Sequence, residues 1–383
     1  MRKLLAIVVV MTLVSVAAVT ARAEDSSALE ISGNLTTVTA WQRTQSGALR
    51  QNPTRGGILG DGLGAYAANG TDTFGFYVDQ VEVDLAKSFG ENIRARADLD
   101  FTPVGPGKGA VFGGQADILV EQAYVTSNIP AGNGVELLVG RFNSGIGLDP
   151  IDRNELKTVS FSMIHRVLLP HNITGARVGY DFSDATRFEL FVVNDLGDSV
   201  VNVTSDIPSG GFNLSYAWGD EGNKSWVKAS GAGGPEKVTK MGLSFLGDLS
   251  GSVAVSDAFR VGAEGVYRQD DEGAGNAQFI AGQLNGTYAF SDVWDGTLRY
   301  GYVWDLDTGQ VGAPTTEITN ENVGVPGLFY AGVNHEVSLA TGYQITDGAR
   351  FNLEGRADLA QASAAAATNG FGYGAGASFA YSF

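Results

Sequence analysis

The chain has no cysteine, three histidines and ten prolines among its 383 residues, and only 17% of its side chains are charged. Without cysteine it can have no disulfide framework, no iron–sulfur cluster and no thiolate zinc site. Base is scarce too: 25 Lys and Arg stand against 42 Asp and Glu, a formal charge of −17. That balance excludes a nucleic-acid partner, since phosphate binding needs Lys and Arg clustered on one face. The 53 glycines follow no three-residue period and prolines are few, which excludes collagen, while 44% hydrophobic residues is too many for a disordered chain. Beyond the N-terminus no stretch approaches 18 consecutive apolar residues, so a membrane-spanning helix is not expected. If the mature chain crosses a membrane it must do so as a closed barrel, because lipid cannot satisfy an open sheet edge.

What is present begins with Arg2 and Lys3, an apolar run from Leu4 to Val19, and Ala21-Arg22-Ala23. A basic start, an apolar centre and a small-x-small site read as a secretory signal peptide over residues 1–23, cleaved near Ala23. Its removal takes away three bases and no acid, leaving 22 against 42, a charge of −20.

Alternation at period two dominates the remainder, residues 24–383. Ile93, Ala95, Ala97, Leu99 and Phe101 alternate with Arg94, Arg96, Asp98 and Asp100. Phe351, Leu353, Gly355, Ala357 and Leu359 oppose Arg350, Asn352, Glu354, Arg356 and Asp358 in the same way. One face suits hydrocarbon and the other suits water. A soluble sandwich also alternates, but charges two apart along whole strands fit an aqueous lumen better. Phe182-Ser183-Asp184, Val255-Ser256-Asp257, Phe290-Ser291-Asp292 and Ile345-Thr346-Asp347 each end a strand on a tight-turn signal. Longer links rich in Gly, Asn, Asp and Pro fall between them, near 45–73, 103–116, 143–171, 195–209, 231–238, 270–277, 306–328 and 362–370. The expected fold is therefore all-β, a transmembrane antiparallel up-and-down barrel of about sixteen strands. The count becomes fourteen or eighteen if Gly219–Asn223 is not a turn or Gly247–Gly251 is one.

The last strand alternates Phe371, Tyr373, Ala375, Ala377, Phe379, Tyr381 and Phe383 with small residues and ends on the Phe383 carboxylate. A terminal aromatic strand of this kind resembles the signal read by the barrel assembly machinery of Gram-negative outer membranes. Phe89, Tyr180, Phe182, Tyr288, Phe290, Trp294 and Tyr343 gather beside the short turns, as an interfacial girdle would.

Between Gln122 and Asn194 the sequence is similar to the OmpL-like porin-2 family of outer-membrane barrels. The matching pieces are Gln122-Ala123-Tyr124-Val125, Gly132-Asn133-Gly134-Val135, Gly140-Arg141-Phe142 and Gly145-Ile146-Gly147-Leu148, then Thr174-Gly175-Ala176-Arg177 and Tyr180-Asp181-Phe182. The close match covers about a fifth of the chain. It implies passive diffusion of small hydrophilic solutes and ions, with no agreed substrate.

The connection 143–171 is long enough to have a job of its own. It carries Asp149, Asp152, Arg153, Glu155, Lys157 and Arg166. Either it folds into the lumen as a constriction or it packs outside on its neighbours. The wall should present Arg94, Arg96, Asp98, Asp100, Arg177, Arg260, Glu264, Arg299, Glu354 and Arg356, with Arg187, Arg268, Arg350, Glu82, Asp84, Asp181, Glu189, Glu336 and Asp358. Nine bases then oppose ten acids, as a salt-bridge lattice or as a substrate path. The acid surplus lies in the long links, where it can hold cations beside lipopolysaccharide. Catalysis has little support: Ser160, Ser162 and His165 lie close together, but no nucleophile elbow surrounds them. No cofactor or metal site is expected. The expected protein is an outer-membrane porin, in contact with lipid and lipopolysaccharide and able to form a homo-trimer. The alternative is a non-conducting barrel serving as an envelope scaffold or adhesin.

Overall fold

A computed structural model describes residues 28–44, 72–101, 119–194, 196, 207–220, 223–235, 243–271, 276–306, 319–320, 323–324, 332–362 and 370–383. The expected signal peptide, residues 1–23, and much of the acidic long links lie outside the described residues. The first half of the wall is β1 (Glu30–Thr44), β2 (Asp72–Phe89), β3 (Ile93–Asp100), β4 (Leu119–Ile129), β5 (Val135–Asn143), β6 (Asn172–Ser183), β7 (Thr186–Val193) and β8 (Ser209–Trp218). The second half is β9 (Ser225–Pro235), β10 (Leu243–Ala254), β11 (Phe259–Asp271), β12 (Asn276–Ser291), β13 (Trp294–Asp305), β16 (Gly332–Thr346), β17 (Ala349–Ala362) and β18 (Gly370–Ser382). Two-residue strands β14 (Thr319–Asn320) and β15 (Val323–Gly324) pair with each other in the link before β16. The sixteen wall strands pair antiparallel with their chain neighbours, and β18 returns to β1 to close the barrel. At that seam Phe383 N donates to Gly33 O at 3.0 Å and Gly33 N to Phe383 O at 3.2 Å.

Period-two alternation fixes which way each side chain points. The outer face carries Leu190, Leu249, Leu284, Leu298, Leu339 and Leu353, all exposed. The inner face carries Asp98, Glu264, Arg299, Glu336, Glu354 and Arg356, all buried. An apolar exterior over a polar, buried interior fits a sheet solvated by lipid outside. Phe89, Phe182, Tyr288, Phe290, Trp294 and Tyr343 stand exposed beside the short turns. Gly219–Asn223 does separate β8 from β9, and Gly247–Gly251 lies inside β10. One expectation fails: residues 231–235, taken as part of a link, continue β9. Glycine there leaves space for neighbouring rings, since a Cβ on Gly231 would lie 2.7 Å from the Phe212 ring.

The link between β5 and β6 runs inside the barrel. It holds a 3-10 turn at Arg153–Glu155 and a short helix α1 (Met163–Leu168), capped by Ser162 Oγ accepting from His165 N at 3.1 Å. Around α1 lies an apolar cluster: Ile146, Ile164, Val167, Leu168 and Leu169 from the link meet Phe142, Phe191, Leu246, Val266, Phe279 and Val303 from the wall. These wall residues share the inner face with the charged ones, toward the long-link rim. The barrel therefore has a second hydrophobic core inside it, which the alternation reading did not foresee.

Where β5 meets β4, Gly140 adopts φ 140°, and a Cβ there would strike the Ala123 carbonyl oxygen and the Tyr124 backbone. Only glycine tolerates both constraints. Gly140→Val is expected to cost several kcal/mol, by strain of about 1–3 kcal/mol plus displaced backbone. The check is the fraction of heat-modifiable, compact barrel in detergent gels, which should fall sharply against wild type.

Candidate functional site

The inner site is built where the link meets the wall. Four charges on β13, β16 and β17 grip residues 158–163. Glu354 Oε2 accepts from Val159 N at 2.8 Å and Ser160 N at 2.7 Å, and its Oε1 accepts from Ser160 Oγ at 2.8 Å. Glu336 Oε2 accepts from Met163 N at 2.6 Å. Arg299 donates to Thr158 Oγ1 at 3.1 Å and to Ser160 O at 3.0 Å, and Arg356 donates to Phe161 O at 2.8 Å. The pairs Arg299–Glu336 (2.7 Å), Arg356–Glu336 (2.9 Å) and Arg299–Glu354 (3.6 Å) hold the four side chains to one another. All four are at most 4% exposed, so each buried charge has a counter-charge and each gripped peptide group has a partner.

Further contacts spread the link across the lumen. Leu148 N donates to Glu264 Oε1 at 2.9 Å, and Gly147 O accepts from Lys228 Nζ at 3.0 Å. Leu168 O accepts from Arg268 at 2.8 Å, Ser144 O from Asn213 at 3.0 Å, and Ser382 Oγ from Asn154 at 2.9 Å. Asp149 accepts from Ser162 N at 2.8 Å and faces Gln283 at 3.5 Å. Arg153 pairs with Asp79 at 3.1 Å and lies 4.0 Å over the Phe161 ring. That ring stacks on His165, and His165 stacks on His171. Burial, reinforced by His171 and the nearby guanidinium groups, pushes the His165 imidazole well below its usual value. Glu155 and Lys157 are exposed, and Lys157 lies 3.7 Å from Asp295. Arg166 sits in α1, where its backbone N–H donates to Ser162 O.

The remaining wall residues divide into separate groups. Arg96 pairs with Asp98 at 2.7 Å, and Gln122 also donates to Asp98. Asp100 lies opposite Glu82 in the register. Arg177 and Arg187 share Glu136 and Glu189 near the short-turn rim, and Arg94 pairs with Glu30 at 2.6 Å. Arg260 donates to Lys224 O at 2.8 Å. A cavity of about 570 Å³, lined by Asn92, Asn128, Glu136, Asp181 and Arg187 among others, opens at that rim. Ser160, Ser162 and His165 form no nucleophile–base pair: Ser160 Oγ binds Glu354, and Ser162 Oγ caps α1.

Several anchoring residues were not singled out from sequence. Lys228, Gln283 and Asn213 are isolated polar residues on strands, and only the register shows them facing the link. Asp79 and Glu121 break the alternation because each is the extra residue of a β-bulge, on β2 and β4 respectively. The apolar inner ring does leave a trace in sequence. Where the link covers the wall, both faces turn apolar, as in Phe191-Val192-Val193.

The fold and its outer belt define a transmembrane outer-membrane barrel. Residues 29–382 match the family described as "Putative beta-barrel porin-2, OmpL-like", and the chain belongs to that family. The outer membrane channel DcaP of Acinetobacter baumannii is similar in fold, with TM-score 0.62 at 13% identity over 94% of this chain and 97% of that one. The anion-selective porin from Comamonas acidovorans gives TM-score 0.58 at 10% identity over 93% and 100% of the two chains. OprB of Pseudomonas putida gives 0.56 at 11% over 93% and 94%. No curated protein matches in sequence. The family makes this protein an outer-membrane channel for small solutes, and its family and fold are those of non-enzymatic channels.

Removing Glu354 leaves two buried arginines sharing Glu336 and the Val159 and Ser160 N–H groups without their acceptor, and an uncompensated buried charge costs about 3–5 kcal/mol. Glu354→Ala is expected to undock residues 158–163 while the wall stays closed. Trypsin should then cut at Arg153, Lys157 or Arg166 in the folded variant and leave wild type intact at those bonds.

Proposed function

We propose that the β5–β6 link is the constriction of a diffusion channel, and that small hydrophilic solutes and ions pass through the lumen it leaves open. The observation that carries this reading is the Glu336–Glu354–Arg299–Arg356 grip, which holds the link across the lumen rather than outside it. A sixteen-stranded wall encloses enough width for an aqueous path beside such a link. Asp149, Asp152, Arg153, Glu155, Lys157 and Arg166 then set the charge at the narrow zone, together with the wall residues Arg94, Arg96, Asp98, Asp100, Arg177, Arg260 and Glu264. Because most wall charges pair locally, selectivity should be weak. The acid surplus of the chain favours cations at the mouths.

The same reading covers assembly. The signal peptide directs export, and Phe383, exposed on the outer face at the seam, is presented to the barrel assembly machinery. The outer belt meets lipid and lipopolysaccharide, and three copies associate through it. One of the similar structures, OmpT of Vibrio cholerae, is described in a trimer form.

Single-channel recording in planar bilayers tests the proposal. Deleting residues 149–166 should raise the unit conductance severalfold with the barrel still folded, and unchanged conductance would place the constriction elsewhere. No discrete openings from the pure wild-type barrel would fit the scaffold or adhesin alternative. In a salt gradient the reversal potential should show a mild cation preference, and a strong anion preference would contradict the charge argument.

A further inference from the structure

Away from the four-charge grip, on β2 and β4, the wall carries an acidic group of which the channel reading uses only the link member, Asp152. Glu82 on β2, Glu121 on β4 and Asp152 from the link each bring one carboxylate oxygen within 4.8 Å of the others. Two of these positions have a structural cause. The bulge on β4 turns Glu121 inward beside Gln122, and the 3-10 turn at Arg153–Glu155 starts immediately after Asp152. Of the guanidinium groups nearby, Arg96 pairs with Asp98 and Asp84 and Arg153 with Asp79, while Arg141 donates to the backbone carbonyls of Val120 and Glu121.

A second observation comes from acceptors that lack donors. Glu121 is 4% exposed, and its Oε1 has no hydrogen-bond partner. Asn34 on β1, also 4% exposed, donates Nδ2 to Glu82 Oε2 at 2.7 Å and leaves its own Oδ1 without a partner. Buried acceptors of this kind call for a hydrogen donor or a cation.

We propose that Glu82, Glu121 and Asp152 bind one calcium ion, with Asn34 Oδ1 as a neighbouring neutral oxygen. The donors are all oxygen, which selects a hard cation over zinc or copper. Calcium bonds to oxygen at about 2.3–2.6 Å, so one ion can bridge carboxylate oxygens at this spacing. Magnesium holds its ligands at about 2.0–2.1 Å in a regular octahedron and keeps several waters, which suits a set of three protein carboxylates less well. Bound there, the ion brings two positive charges to the three carboxyl groups and ties the link to β2 and β4. These strands lie three to five places round the sheet from β17, so the ion reinforces the Arg153–Asp79 attachment on a stretch of wall separate from the grip.

The test uses the purified full-length barrel in detergent, freed of lipopolysaccharide and stripped with EGTA. Calcium chloride is titrated by calorimetry, and heat-modifiable gel mobility is followed against temperature with and without the ion. One saturable site per chain and a higher unfolding temperature in calcium are expected. Glu121→Gln and Asp152→Asn should each weaken binding at least tenfold and remove the calcium-dependent rise in unfolding temperature. If Glu121→Gln fails to fold, Asp152→Asn, which changes only the link, decides the matter. Absence of saturable binding in wild type would overturn the proposal. So would wild-type affinity in Asp152→Asn, which would place the calcium on other carboxylates, and magnesium binding as tightly as calcium would overturn the choice of ion.

Discussion

Peptide groups carried into the middle of a barrel need partners, and the link between β5 and β6 finds them on the wall. Between Thr158 and Met163 the N–H groups of Val159, Ser160 and Met163 and the C=O groups of Ser160 and Phe161 meet Glu336, Glu354, Arg299 and Arg356. A segment of six residues has no internal ladder to satisfy its own backbone, so the wall supplies what a helix or sheet would otherwise supply. The two arginines and two glutamates also neutralise each other, which removes the large desolvation cost that a single buried charge would carry. The path of the link, the position of α1 and the shape of the lumen all follow from this arrangement.

The barrel makes that arrangement possible. A sheet closed through Gly33 and Phe383 has no edge to satisfy, so its outer face is free to be apolar and its inner face to be polar. The inner face is not uniform. Its middle is charged and grips the link, while the half toward the long links is lined by Phe191, Leu246, Val266, Phe279 and Val303 and takes up Ile164, Val167 and Leu168. Polar contacts fix the register of the link, and apolar contacts supply most of the buried area around α1.

Much of this was legible in the sequence, and the exceptions have physical reasons. Strand positions follow from a period of two and from turn residues, both local properties, and the sixteen-strand count followed from them. Residues 231–235 read as a link because glycine usually signals one, whereas here Gly231 makes room for the Phe212 ring of β8, the strand before. Asp149, Asp152 and Arg153 stood out by being charged in a long link. Their partners Gln283, Glu82 and Asp79 lie far away in the chain and are brought near by register alone. Glu121 and Asp79 were hidden for a sharper reason: each sits in a bulge, which shifts the parity that the reading relied on. The inner apolar ring was overlooked because alternation is tested one face at a time, and a wall that is apolar on both faces looks like a weak strand.

The absence of cysteine allows a direct check that the link crosses the lumen. Val159 Cγ1 lies 3.4 Å from where a Cβ on Gly376 of β18 would be, so cysteines at these two positions are placed to bond. In Val159→Cys/Gly376→Cys barrels taken from membranes, mild oxidation should give near-complete disulfide, visible as a reducible change in the mobility of the denatured chain. Two free thiols in a folded, closed barrel would contradict the placement of the link inside the lumen.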